Sequence, residues 1–182
     1  MNEHWVFAYG SLMWDPGFAP VEVTPASVSG YVRRFCLKSV VYRGTVEAPG
    51  LVLGLDAEAQ GSCRGLALRV ADADWPQVLG ELRARELTTY AYAEKVLPLH
   101  LADGREVEAV AYVIDRAHEQ YIGGLDLEAQ AGIIARASGG RGPNADYLYN
   151  TAHHLAEMGV EDGDIAALVG LVRGLNAGES PV

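Results

Sequence analysis

Trp5-Val6-Phe7-Ala8-Tyr9-Gly10-Ser11-Leu12 decides how this chain is read. Five residues rich in β-formers stop abruptly at a glycine and a serine, which predicts a buried strand running into a tight loop. With no Cβ at Gly10, backbone N–H groups approach a ligand closely, and such groups hold a carboxylate or carbonyl oxygen. An ordinary strand-ending turn carries the same local signature, so the loop is a candidate site that needs context. No Gly-Lys-Ser/Thr follows Gly10 and no G-x-G-x-x-G opens a helix there. The phosphate loops of nucleotide-binding folds are thereby excluded.

Working outward, Pro16, Pro20 and Pro25 break any helix, and residues 28–42 alternate imperfectly, as a long or bulged strand does. Residues 51–55 and 63–70 read as two further strands, separated by polar and Gly-containing turn residues. From Asp72 the period changes: an Asp N-cap candidate, Pro76 in the first turn and Trp75, Val78, Leu79 and Leu82 at helical spacing predict a helix ending near Glu86. Residues 92–101 and 107–114 flank Asp103-Gly104, the signature of a tight hairpin. Three helices are expected near 125–137, 145–158 and 162–175, the second opened by Pro143-Asn144 and closed by Gly159. Strands first, then a helix, a hairpin and more helices make an α+β pattern whose early strands suit a small β-barrel. The reading is one domain over residues 1–176 with a flexible tail over 177–182, where Gly178, Ser180 and Pro181 cluster.

Charge and composition narrow the partners. A formal net charge of −10 argues against nucleic acid, which is bound through concentrated Lys and Arg. The acidic surplus lies mostly after Val70 and reads as solvated helix faces. Against it, Arg33, Arg34, Arg43 and Arg64 gather in the first half and are candidates for holding a small anion. The N-terminus lacks the basic start and apolar stretch of a secretory signal, and no apolar run approaches the roughly 18 residues that span a bilayer. Cys36 and Cys63 supply neither a disulfide framework nor a metal-binding spacing, which suits a reducing cytosol. The expectation is a cytoplasmic protein without membrane, metal or cofactor.

Few residues remain for chemistry. Glu86 sits at the C-terminal end of its helix, flanked by Arg85 and by tyrosines. A carboxylate is unfavourable at the negative end of a helix dipole, so either a surface salt bridge to Arg83 or Arg85 or a functional role explains it. Cys63 has Arg64 beside it but no histidine in a recognised pairing, and reads better as a small buried strand residue. Ser11 lacks the G-x-S-x-G elbow of α/β-hydrolases. His153 and His154, adjacent in sequence, face different sides of a helix and cannot ligate one metal as HExxH does.

Several ordered blocks resemble the ChaC-type γ-glutamylcyclotransferase family: residues 6–16 with Tyr-Gly-Ser-Leu followed by Trp and Pro, Gly30 to Leu37, Tyr42-Arg43-Gly44-Thr45, Pro49 to Leu55, Gly61 to Gly65, Arg85-Glu86, and Gly142-Pro143-Asn144 with Tyr147-Leu148. The resemblance covers about residues 5–172. It implies a small mixed β-barrel with surrounding helices, glutathione as substrate, and 5-oxoproline and cysteinylglycine as products, in a monomer or homodimer. It further implies Glu86 as the catalytic carboxylate, with Tyr9, Gly10, Ser11, Leu12, Arg43 and Tyr147 binding substrate. Tyr90, Tyr92 and Tyr147 are then expected to give Glu86 apolar cover. One departure is Leu87-Thr88-Thr89, where many members carry a lysine after Arg-Glu. Cyclotransfer of other γ-glutamyl amines, anion capture without catalysis, and a cysteine-dependent hydrolase are the alternatives.

Overall fold

The structure, a computed structural model, describes residues 3–89 and 91–178. Its elements in chain order are β1 (His4–Ala8), β2 (Glu22–Ser39), β3 (Gly50–Val70), α1 (Trp75–Glu86), β4 (Tyr92–Leu101), β5 (Glu106–Ile114), α2 (Leu127–Arg136), the short β6 (Ser138–Gly139) and β7 (Gly142–Pro143), α3 (Asn144–Glu157) and α4 (Gly163–Gly178). The five longer strands close a barrel in the order β1-β3-β2-β4-β5, with β1 antiparallel to β3 and parallel to β5. The α+β class and the barrel are as the sequence leads one to expect.

Two compact units make up the chain. The first takes the residues up to Arg34 and Gly54–Glu119; the second takes Phe35–Leu53 and the residues from Gln120 onward. In the first, alternate residues of each strand turn inward, and Trp5, Phe7, Val28, Leu55, Cys63, Ala67, Leu99, Ala111 and Val113 fill the barrel core. Burying each larger side chain contributes about 1.5–3 kcal/mol. In the second, α2, α3 and α4 pack on one another.

The hairpin β4–β5 turns at Gly104, whose φ of +93° is left-handed. Trp75 opens α1 after Asp74, and Pro76 sits in the first turn, where its missing N–H costs nothing. Three expectations differ. The strand expected over 28–42 is β2 at Glu22–Ser39, which starts six residues earlier, takes in Pro25 and ends before Tyr42. Residues 51–55 and 63–70 belong to one strand of 21 residues rather than two, because the polar stretch Ala57-Glu58-Ala59-Gln60 is exposed yet stays paired. Polarity there marks exposure, not a turn. Residues 177 and 178, expected in a flexible tail, continue α4 to Gly178, and the rest of that expected tail, residues 179–182, lies outside the described residues.

One glycine holds the start of the barrel together. A Cβ on Gly65 would lie 2.2 Å from the Ala8 carbonyl oxygen and 3.1 Å from two ring atoms of Phe7. Only a bare Cα lets β3 run this close to β1. Gly65→Ala is therefore expected to lower stability by about 1–3 kcal/mol through forced backbone movement. Urea unfolding measures this, and an unchanged midpoint would contradict it.

Candidate active site

The segment after β1 is fixed at its start. Tyr9 turns its ring into the barrel core, where the hydroxyl donates to the Tyr112 carbonyl at 2.9 Å. Its own carbonyl accepts from Nε of the buried Arg33 at 2.5 Å, and Arg33 Nη2 donates to the Arg64 carbonyl at 2.6 Å. Tyr9 is thus the anchor of the loop rather than a side chain extended from it. Ser11–Met13 form a 3-10 turn, in which Met13 N–H donates to the Gly10 carbonyl at 2.9 Å and Asp15 N–H to the Ser11 carbonyl at 2.8 Å. The amides of Ser11 and Leu12 precede the first bond of that turn, which supplies them no acceptor. The Leu12 side chain is buried.

Glu86 is the last residue of α1, at the helix end where carbonyl groups lack amide partners. Its side chain is only 17% exposed, and Arg85 Nε lies 3.4 Å from Oε1. Burial pushes the carboxyl above its ordinary 4.5, and the neighbouring Arg85 charge offsets part of that rise. The Arg85 guanidinium also donates from Nη2 to Ser11 Oγ at 3.0 Å and from Nη1 to the Asp15 carbonyl at 2.7 Å. Glu86 and the Gly10–Leu12 turn therefore meet the edges of one guanidinium. Of the two salt bridges considered from sequence, Arg85 makes one; Arg83 instead grips Glu94 through two bonds of 2.8 and 2.7 Å.

Tyr112 of β5 is a further neighbour. Its hydroxyl donates to Glu94 Oε2 at 3.2 Å. Burial first, then the charges of Glu94 and Glu86, hold the phenol well above the usual tyrosine range, so it stays protonated at neutral pH. This chain thus brings a half-buried carboxyl, a phenol and an N-terminal turn into one region of the first unit.

Arg43 and Tyr147 belong to the second unit. There the Arg43 guanidinium lies 5.8 Å from the centroid of the Tyr147 ring and donates from Nη1 to the Arg141 and Pro143 carbonyls at 2.9 and 3.2 Å. The Tyr147 hydroxyl accepts from Leu53 N–H at 3.3 Å. Tyr92 is half-buried at the start of β4, and Tyr90 lies outside the described residues. Cys63 lies in the barrel core, as its strand position suggests. His153 and His154 lie 3.5 and 3.3 Å from the Glu157 carboxylate.

A family model described as ChaC-like protein matches residues 4–175. The chain belongs to the ChaC-like family. The glutathione-specific gamma-glutamylcyclotransferase of Escherichia coli (strain K12) is 35% identical over 177 residues, covering 97% of this chain and 76% of that protein. The human glutathione-specific gamma-glutamylcyclotransferase 1 is 32% identical over 172 residues, covering 92% and 78%. The crystal structure of a yeast γ-glutamyl cyclotransferase specific to glutathione superposes with a TM-score of 0.86 at 21% identity, over 100% of both chains. The barrel and helices of this chain are that same fold.

Within this ChaC-like chain, sequence reasoning overlooked Arg85 as more than a salt-bridge partner, and it overlooked Tyr112 altogether. The signal for Arg85 was its place directly before Glu86, but its bonds to Ser11 and Asp15 span about seventy residues of sequence. Tyr112 is the one residue with a polar group in the apolar second half of β5, Ala109 to Ile114, which is the trace that would have found it. No helix among the described residues is long and apolar enough to cross a membrane.

Proposed function

We propose that this protein is a glutathione-specific γ-glutamylcyclotransferase, converting glutathione to 5-oxoproline and cysteinylglycine, with Glu86 as its acid–base residue. The observation that carries the proposal is the half-buried Glu86 carboxyl, raised above 4.5 and joined through Arg85 to the Ser11 turn. Relatives named for this reaction, matching nearly the whole chain at about a third identity, supply the substrate.

The reaction needs little machinery. The substrate α-ammonium must lose a proton before its nitrogen can attack the γ-amide carbonyl. Glu86 takes that proton. As a new C–N bond closes the five-membered lactam and the bond to the cysteinyl nitrogen breaks, Glu86 returns its proton to that departing nitrogen, then takes the second proton of the ring nitrogen and passes it to the freed amine, which leaves as an ammonium. A carboxyl raised by burial is better matched to an amine than an exposed one. Because nucleophile and electrophile belong to one molecule, holding the glutamyl chain bent supplies several kcal/mol of the barrier reduction. The Ser11 and Leu12 amides hold the substrate α-carboxylate or the oxyanion that develops at the carbonyl. No metal or cofactor enters the scheme, and the enzyme acts in the cytoplasm as a monomer or homodimer.

Glutathione and γ-glutamylalanine assayed side by side test the substrate. The proposal expects 5-oxoproline from glutathione and little from γ-glutamylalanine; the reverse preference would overturn it. A pH profile tests the acid–base assignment. Since Glu86 must be ionised to accept a proton, kcat/KM is expected to fall on acidification with a limb above 4.5. A limb at or below that value would mean an ordinary exposed carboxylate.

A further inference from the structure

Arg85 makes more contacts than a surface arginine at a helix end requires. Its three faces meet three groups in different directions: Nε approaches Glu86 Oε1 at 3.4 Å, Nη1 donates to the Asp15 carbonyl at 2.7 Å, and Nη2 donates to Ser11 Oγ at 3.0 Å. The Asp15 and Ser11 contacts pin both ends of the turn after β1, and the third reaches the carboxyl. We propose that Arg85 is a positioning residue, a planar spacer that sets the distance and angle between the Ser11 turn and the Glu86 carboxyl. The inference rests on the proposed cyclotransferase reaction and adds to it a residue that touches neither the scissile bond nor the nucleophile.

The chemistry of the guanidinium explains the choice. Its donors are fixed in a rigid plane, so one side chain holds several acceptors at set angles, whereas a lysine ammonium is a compact point on a flexible stem. Ser11 Oγ spends an acceptor site on Arg85 and keeps its own proton to donate to a substrate oxygen. The turn is thereby oriented as well as held. A bent glutamyl moiety must meet amides on one side and a base on the other, and a misplacement of about 1 Å costs roughly 100-fold in rate.

Among the described residues, the charged and titratable groups coupled to Glu86 are Arg85 from its own helix and the Tyr112 phenol from β5, which is backed by Glu94 of β4 and by Arg83 of α1. Of these, Arg85 is the cation that opposes the effect of burial on Glu86. Its removal therefore moves the acid limb of the pH profile to higher pH.

Arg85→Lys, Arg85→Gln and Arg85→Ala, with Glu86→Gln in parallel, test the proposal on glutathione. Expected are a kcat lower by roughly 10- to 100-fold in all three Arg85 variants, as misplaced groups produce. An acid limb displaced upward in Gln and Ala but little in Lys, and partial recovery of Arg85→Ala on adding millimolar guanidinium chloride, are also expected. Wild-type kcat in the Gln and Ala variants overturns the proposal. So does a lost kcat that tracks a lowered melting temperature, with no limb displacement and no guanidinium recovery, since that describes a structural contact only. Should Glu86→Gln turn over glutathione like the wild type, the acid–base role of Glu86 has failed, and with it the proposed reading of the site, whatever the Arg85 variants do.

Discussion

Glu86→Gln is expected to lower kcat on glutathione by at least about 100-fold while leaving the fold intact, because general acid–base groups contribute about 10²–10⁴ in rate. Gln keeps the shape and can neither take a proton from the substrate amine nor return one to the leaving nitrogen. Stability should move the other way. Burial raises the folded-state value of Glu86 above 4.5, so its neutral form is the one the fold favours. The stability it contributes is complete below 4.5 and is lost as pH rises through the folded value, which makes the ionised side chain a cost at neutral pH. The Gln variant does not carry that cost. Its melting temperature at pH 7 is therefore expected to exceed that of the wild type, the difference closing in acid. Lost activity together with a lowered melting temperature at neutral pH would show that the carboxylate holds the structure rather than carrying the proton.

Asn144→Ala is expected to be the most destabilising single change. Asn144 is fully buried at the start of α3, and its amide works as a substitute strand: Oδ1 accepts from Leu51 N–H at 2.7 Å, and Nδ2 donates to the Leu51 carbonyl at 2.8 Å. Truncation leaves both main-chain groups of Leu51 without a partner. Each buried group left unpaired costs about 1–3 kcal/mol, so the loss is about 2–6 kcal/mol. Asn144→Asp should do no better, since a second oxygen would then face the Leu51 carbonyl and the donor is gone. Thermal unfolding of both variants measures this. A loss under about 0.5 kcal/mol, the scale of a neutral surface change, would contradict it.

Asn144 also shows where sequence stops being informative. Pro143-Asn144 reads correctly as a helix start, because that signal is local. That the side chain completes the hydrogen bonding of Leu51, more than ninety residues earlier, leaves no local trace. The same division runs through the rest of the chain. The Asp103-Gly104 hairpin, the helix ending at Glu86 and the three later helices follow from turn chemistry and apolar spacing. The continuity of β3 does not, since Ala57-Glu58-Ala59-Gln60 has the polarity of a turn and becomes strand only through its neighbours. At the site, Glu86 and the Tyr9–Leu12 loop stand out in the sequence, one by an unfavourable helix-end charge and the other by an abrupt strand ending. Their link through Arg85, and the neighbouring Tyr112, depend on strands and helix coming together, which spacing along the chain cannot express.

The central claim is that the glutamyl amine, not water, attacks the γ-carbonyl. Running the reaction on glutathione in water enriched in oxygen-18 and weighing the glutamyl product tests it most directly. Internal cyclisation predicts 5-oxoproline with no label taken from solvent; glutamate carrying the heavy oxygen would contradict the account.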